Sequence, residues 1–165
     1  MPLRSDWSEE LCPVRRGLDV LGDPWIMLIM RDVLHGMTRF EQIRDSSGIS
    51  DAVLARRLRL LVDEGLLRKV DYRGDRRTHA EYVATEAGAD LLPIMHAVSM
   101  WAEKHTALPE GGGHMAIVHE SCGSETTSAD TCSACGEPLR PDAVSWDKPW
   151  KHTRERLVGA TDLPA

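Results

Sequence analysis

The pattern of hydrophobic and polar residues predicts a chain built mainly from short amphipathic helices. Pro13 can occupy the first position of a helix, and the apolar residues after it recur at helical spacing until Gly22-Asp23-Pro24 ends the segment. A second helix is predicted from Trp25 to Leu34, with its apolar residues mostly in the core. Thr38 is the predicted N-cap of a third, short helix, which carries Phe40 and Ile43.

The clearest helical pattern lies between Ser50, a predicted N-cap, and Gly65, a predicted C-terminal glycine. Three leucines recur at i, i+4 and i+7 and define one buried stripe: Leu54, Leu58 and Leu61. At about 100° per residue, the opposite side carries small and cationic residues: Ala52, Ala55, Arg56 and Arg59. Such a face can enter a DNA major groove, where arginine pairs with guanine. It is equally typical of an ordinary solvated helix.

A basic hairpin follows this helix. The segments Leu66–Tyr72 and Ala80–Ala84 read as two strands joined by a polar tip that contains Arg73, Arg76 and Arg77. A cationic tip can lie along DNA phosphates or enter the minor groove. A basic turn directly after a leucine-rich helix strengthens the prediction of DNA binding beyond what either feature supports alone.

The order of these pieces resembles the HxlR-type winged helix-turn-helix transcriptional regulators over roughly residues 10 to 105. The matching motifs are Cys12-Pro13, Gly22-Asp23-Pro24-Trp25, Thr38-Arg39-Phe40, Ile49-Ser50, Leu58-Arg59-Leu60-Leu61, Glu64-Gly65-Leu66-Leu67, Glu81-Tyr82, Thr85-Glu86-Ala87-Gly88 and Trp101. The family usually has a leucine where this chain has Ala84. The resemblance implies a dimer built from the first and last helices, which binds a pseudo-palindromic operator in double-stranded DNA.

Arg39 would lie near a helix start, where a phosphate can bind backbone amides and the guanidinium together. Arg39 is equally consistent with a solvated surface residue. The predicted DNA-contacting residues are therefore Thr38, Arg39, Ser50, Asp51, Ala52, Ala55, Arg56, Arg59, Arg73, Arg76 and Arg77.

The net charge of −6 is not typical of a nucleic-acid-binding protein, so the distribution of charge matters. Between residues 50 and 79, eight basic residues outnumber five acidic ones by three, which leaves −9 for the rest of the chain. This segregation fits a focused phosphate-binding surface and argues against indiscriminate coating of nucleic acid. No apolar run is long enough to cross a bilayer and no signal-peptide pattern is present, so a cytoplasmic protein with reduced thiols is expected.

The last helix of the main domain is predicted to open at Thr85 and to carry an excess of apolar residues. Its stripe consists of Leu91, Met95, Val98 and Ala102, with Ile94 and Trp101 alongside. A small winged helix has little core for such a stripe to cover, so a second copy of the chain is the expected partner. The prediction is a homodimer.

A metal-ligand pattern appears after the glycine-rich segment 108–113. His119-x2-Cys122-Gly123 is followed by Cys132-x2-Cys135-Gly136, and such pairs point two side chains at one ion. Three cysteines and one histidine are a preferred tetrahedral set for structural zinc, and the segment resembles a zinc ribbon. His114 could replace His119 as fourth ligand. A metal-free loop, or a disulfide between Cys132 and Cys135, is the alternative. Four protein ligands leave no position for a reacting water, so no enzymatic activity is predicted.

Cys12 is a candidate redox-sensing thiol. It directly precedes a helix whose N-terminal partial charge favours the thiolate, and the resembled family includes thiol-responsive members with a cysteine at this place. The alternative is an inert, partly buried cysteine at the domain boundary. Sequence gives no indication of a small-molecule effector.

The predicted fold is mainly α with a small β wing, the winged helix-turn-helix, plus a small C-terminal zinc-ribbon-like β module. The predicted divisions are an N-terminal arm 1–11, the DNA-binding and dimerisation domain 12–107, a linker 108–113, the zinc module 114–145 and a tail 146–165, extended and then briefly helical around residues 153–158. The favoured function is a dimeric DNA-binding regulator, expected to be a repressor. The alternative is a protein–protein adaptor that uses the winged helix as a dimer scaffold.

Overall fold

The computed structural model of the protein describes residues 6–73 and 78–160, with backbone alone at positions 72, 73 and 78. Six α-helices and six strands follow one another along these residues. They are α1 (Pro13–Leu21), α2 (Pro24–Leu34), α3 (Phe40–Ser47), α4 (Asp51–Asp63), β1 (Leu67–Arg73), β2 (Thr78–Ala84), α5 (Glu86–Ala89), α6 (Leu92–His105), β3 (Ala116–His119), β4 (Ser124–Glu125), β5 (Val144–Lys148) and β6 (Thr153–Arg156). Short 3-10 turns cover Pro141–Ala143 and Pro149–Lys151.

The winged helix-turn-helix predicted from sequence is present. Leu54, Leu58 and Leu61 of α4 are fully buried, as their spacing predicts, and they pack in one core with α2 and α3. Gly65 has a positive φ of 71° directly after α4, which is the conformation expected of a helix-ending glycine. The wing strands β1 and β2 pair antiparallel, with Leu67 opposite Ala84.

One of the two predicted helix caps is wrong. Arg39, not Thr38, occupies the N-cap position of α3, and the Thr38 carbonyl instead accepts a hydrogen bond from the Tyr82 amide of β2 at 2.7 Å. Ser50 does occupy the N-cap position of α4, but its side chain makes no capping hydrogen bond. At the start of α3 the Gln42 side chain accepts a hydrogen bond from the Arg39 amide at 3.0 Å.

The predicted last helix is divided in two. Thr85 caps α5 by accepting a hydrogen bond from the Gly88 amide at 3.1 Å. Gly88 is obligatory here because a Cβ would lie 2.1 Å from the Leu66 carbonyl oxygen and 2.9 Å from the Met30 side chain. The chain then turns and continues as α6, whose first residue is Leu92.

The C-terminal residues form a four-stranded antiparallel sheet in the order β4-β3-β5-β6. The helix predicted around residues 153–158 is wrong, because Thr153–Arg156 pairs with β5 as an edge strand. Strand β5 crosses the predicted boundary between the zinc module (114–145) and the tail (146–165), so both parts belong to one sheet. Trp146 of β5 is 4% exposed and lies in the same hydrophobic core cluster as α2 and α4.

His96 of α6 joins this sheet to the helical part. It is completely buried. Its Nε2 accepts a hydrogen bond from the Trp146 indole at 3.0 Å, so its Nδ1 carries the proton and donates to the Ala129 carbonyl at 2.8 Å. Burial lowers the pKa of His96, which favours this neutral form.

The helices described are too short or too polar to cross a membrane.

Candidate nucleic-acid interface and metal centre

The predicted DNA-reading face of α4 points to solvent. Ala52, Ala55, Arg56 and Arg59 are all exposed. Neither arginine forms an ion pair or hydrogen bond with another described residue, so both guanidinium groups keep their full set of donors. A helix with this face can approach a groove closely because its small residues leave the backbone accessible. Ser50 and Asp51 are exposed at its N-terminal end, where Asp51 lies 3.7 Å from Arg44.

The start of α3 differs from its prediction. Arg39 is half-exposed and forms an ion pair with Glu81 of the wing at 3.0 Å, which orients the guanidinium. Thr38 is 6% exposed, so little of its surface is available to a phosphate.

The segment 50–79 exposes less positive charge at the surface than its sequence contains. Arg57 is buried and forms an ion pair with Asp23, the N-cap residue of α2. Its charge is therefore neutralised inside the protein and is not available to DNA phosphates. On the wing, Arg68 and Lys69 are exposed. Arg76 and Arg77, together with the side chain of Arg73, lie outside the described residues.

The four predicted metal ligands converge at one point. One ligand atom from each of His119, Cys122, Cys132 and Cys135 can be chosen such that all lie within 4.8 Å of one another. The two sulfurs of Cys122 and Cys132 are 3.7 Å apart, and His119 Nδ1 lies 3.5 Å from Cys122 and 3.3 Å from Cys135. This cluster can hold a metal ion.

The backbone around the cluster also favours metal binding. Gly123 and Gly136 have φ values of 70° and 77°, which lets each pair of ligands turn back on itself. A hydrogen bond from the Ser124 backbone lowers the pKa of the Cys122 thiol to about 6, so this group offers a thiolate at neutral pH. His114, the alternative ligand, lies outside the cluster. It is exposed and contacts Glu125 at 2.7 Å and Glu103 at 3.3 Å.

Two further predicted features are exposed. Cys12 is a free, exposed thiol at the N-cap position of α1. Large apolar side chains of the first helix, the last long helix and the residue before Cys12 also lie in solvent, with exposed fractions of 43 to 94%: Leu11, Val14, Leu18, Ile94, Val98 and Trp101.

Sequence reasoning missed one element, a cavity of about 440 Å³ between α2, α6 and the C-terminal sheet. Its walls include His35 of α2 and Lys148 of β5, whose side chains meet although they are far apart in sequence. Trp146 and Trp150 line it, and no spacing rule connects them with the other residues of the walls.

The comparisons with known proteins place these features in a family. The family described as HxlR-like helix-turn-helix matches residues 20–109. The HTH-type transcriptional regulator Rv3095 of Mycobacterium tuberculosis is 36% identical over 126 residues, which are 76% of this chain and 78% of the relative. The crystal structure of PA1607, a proposed transcription factor, superimposes with a TM-score of 0.65 at 35% identity and covers 81% of this chain and 92% of its own. The redox regulator HypR in its reduced form has a TM-score of 0.52 at 30% identity, covering 56% and 92%.

Proposed function

The chain belongs to the HxlR-like helix-turn-helix family of transcriptional regulators, and from this premise we propose that it acts as a homodimeric repressor on a pseudo-palindromic operator. The observation that carries the proposal is the open face of α4, on which Arg56 and Arg59 keep their donors free of other described residues. A symmetric dimer would present two such helices about 34 Å apart, one turn of DNA. Occupying promoter DNA would exclude polymerase.

The contacts divide by chemistry. Arg56 and Arg59 would read base edges, with Ala52 and Ala55 allowing close approach to the groove. Ser50, Asp51 and Arg39 lie at helix starts, so their segments would bind phosphates through backbone amides and, at Arg39, the guanidinium. The tip arginines Arg73, Arg76 and Arg77 stay proposed phosphate contacts on sequence grounds. Thr38 is not retained because of its burial.

Replacing Arg56 with alanine is expected to remove sequence preference. Loss of a bidentate contact to guanine costs about 1–3 kcal/mol, which is roughly 5- to 150-fold in affinity for the operator. Binding to scrambled duplex should change much less, because phosphate contacts dominate there. Gel-shift titrations with the chain's own upstream region and a scrambled duplex of equal length measure both.

Arg140→Ala is the matched control, because Arg140 is an exposed arginine of the C-terminal sheet region and not of α4. On sequence grounds Arg76→Ala should instead weaken all duplexes alike. If Arg56→Ala binds both duplexes as the wild type does, α4 does not read bases as proposed.

The exposed apolar residues of α1 and α6 support the homodimer. Val14, Leu18, Val98 and Trp101 are each more than half exposed in the single chain. Apolar exposure of this kind on two helices marks a surface for association. A second copy provides the complementary surface, as expected of a two-fold dimer.

We assign zinc to the cluster on its dimensions. A tetrahedron with zinc–sulfur bonds of about 2.3 Å and zinc–nitrogen bonds of about 2.05 Å has edges of roughly 3.8 Å between sulfurs and roughly 3.5 Å between sulfur and nitrogen. The observed separations of 3.7, 3.5 and 3.3 Å fit these edges. His119, Cys122, Cys132 and Cys135 would hold the ion, which supplies folding stability and no chemistry.

Cys12 is the proposed redox-sensing thiol, supported by its exposure and by the likeness to HypR. Oxidation with diamide and glutathione adds a bulky charged group before α1, beside the proposed dimer surface. Operator affinity of the wild type should fall about fivefold or more, within the usual range of allosteric coupling. Cys12→Ser should keep its affinity under the same treatment, with zinc release followed separately by a chromogenic chelator. Equal losses in both proteins would refute the assignment.

The adaptor alternative receives no support from the comparisons, since the relatives that resemble this chain are named as transcriptional regulators.

A further inference from the structure

The cavity between α2, α6 and the C-terminal sheet has the size of a small-molecule site. Its volume of about 440 Å³ lies within the range of pockets that enclose organic ligands. Methionines from three parts of the chain line it, together with two tryptophans: Met27, Met37, Met95, Met115, Trp146 and Trp150. Flat aromatic ligands suit such walls, because thioethers and indoles make favourable contacts with aromatic rings.

Cations collect at one side of this cavity. Lys148 is 9% exposed at its side chain and donates to His35 Nε2 at 2.7 Å and to Glu155 at 2.6 Å, which leaves one ammonium hydrogen for a ligand. Burial lowers the pKa of Lys148, while its pairing with Glu155 raises it. A cation held in this partly dry setting attracts an anion more strongly than one in water does.

The second cation, Arg31, is fixed by its neighbour. Its Nε and Nη2 both donate to Asp32 Oδ1, at 2.9 and 2.7 Å, so Nη1 is left for a ligand. Lys151 lines the rim and lies 3.8 Å from Glu155. Three cations and one carboxylate, Asp32, therefore line the cavity. Glu155, which is not part of the lining, pairs with Lys148 and leaves one positive charge in excess. A single negative charge on a ligand would balance it.

One wall residue is incompletely paired. Asp32 is 2% exposed, and its Oδ2 is one of the few buried side-chain atoms in the described chain without a hydrogen-bond partner. Native structures pair nearly all such atoms, and a water or a ligand group commonly completes the set at a binding site. This oxygen can only accept a hydrogen bond, so it marks a place for a water or another donor and does not itself bind the ligand's carboxylate.

We propose that this cavity binds a small aromatic monocarboxylate, with its rings among the methionines and tryptophans and its carboxylate on Lys148 and Arg31. A fused two-ring acid is small enough to enter a cavity of this volume. A neutral aromatic compound would leave the excess positive charge unbalanced, so the carboxylate is what the site selects.

Binding of the acid would be coupled to the proposed dimer surface through helix α6, which forms part of the cavity wall. Helix α6 contributes Met95 and Val98 to the cavity, and the same helix exposes Trp101 on the proposed dimer surface. A bound acid would therefore act as an effector on the separation of the two DNA-reading helices. This regulatory role rests on the proposed function, whereas binding of the acid is measured without DNA and does not depend on it.

Isothermal titration of the full-length, zinc-loaded protein with 2-naphthoate tests the proposal, with 2-naphthalenemethanol as the neutral analogue. We expect one 2-naphthoate per chain, quenching of tryptophan fluorescence, and affinity at least about tenfold above that of the alcohol, because a charge-assisted contact is lost in the alcohol. Lys148→Met should weaken naphthoate binding about tenfold. Lys69→Met, an exposed lysine of β1, is the matched control and should bind as the wild type does.

Arg31→Met provides a second test of the cationic side, in case Lys148→Met unfolds when Glu155 loses its partner. Three results would overturn the proposal: no binding of 2-naphthoate at millimolar concentration, equal affinity for the alcohol, or wild-type affinity in a folded cation variant. A protein that binds naphthoate but ignores its operator would refute the proposed function and leave the ligand site standing.

Discussion

Replacing Cys132 with serine is expected to abolish metal binding and unfold β4 and the loops around the cluster. Cys132 is 1% exposed, lies in the common hydrophobic core cluster and is 3.7 Å from the Cys122 sulfur. Strand β4 has only two residues, and the loops around the cluster bury little apolar surface, so the ion must supply most of their folding free energy. Structural zinc contributes on the order of 10 kcal/mol in small domains.

The zinc content should fall from one ion per chain to none, as measured by mass spectrometry of the native protein. Thermal unfolding should become biphasic or shift downward by at least about 10 °C, since 1 kcal/mol corresponds to roughly 2–4 °C for a chain of this size. Cys12→Ser is the matched control, because it removes a thiol outside the cluster. Retention of one tightly bound zinc ion by Cys132→Ser would contradict the assigned ligand set.

Replacing Trp101 with glutamate is expected to convert the proposed dimer into a monomer. Trp101 is 62% exposed in the single chain, and the centroid of its ring lies 5.4 Å from that of His105 on the same helix. Tryptophans at protein interfaces commonly contribute about 2 kcal/mol each. A two-fold interface contains the residue twice, so the loss is about 4 kcal/mol, roughly a thousandfold in the dimer dissociation constant.

Analytical ultracentrifugation at micromolar concentration measures this change, and circular dichroism verifies that the variant stays folded. The control is Ala52→Glu, which places the same charge on the exposed face of α4. It should remain dimeric and lose DNA binding by repelling phosphates. If Trp101→Glu sediments as the wild type does, the dimer surface lies elsewhere.

Sequence was sufficient for the features that depend on local spacing. The buried stripe of Leu54, Leu58 and Leu61 follows from the helical period alone. The convergence of the four predicted metal ligands follows from two pairs of residues, because a two-residue gap fixes the direction of two side chains within a single turn. Both predictions concern neighbours along the chain, where backbone geometry leaves few choices.

Sequence was insufficient where distant segments determine the environment of a side chain. The sequence counts Arg57 with the cationic surface, but Arg57 is buried in an ion pair with Asp23, 34 residues earlier. The hydrogen bond that His96 accepts could not be predicted either, because its donor, Trp146, lies 50 residues later in the sequence. The end of the chain looked helical around residues 153–158, yet the exposed edge of β5 recruits it as a strand.

The return of the C-terminal segment to α2 has a consequence for synthesis of the protein. The Val158 amide donates to the Leu34 carbonyl at 2.8 Å, and Leu157 is buried in the shared core. This contact closes a loop of more than a hundred residues, and such non-local closure is slow. The winged helix is synthesised well before β6, the last strand of the C-terminal sheet. A nascent chain therefore first folds without the sheet that forms one wall of the cavity.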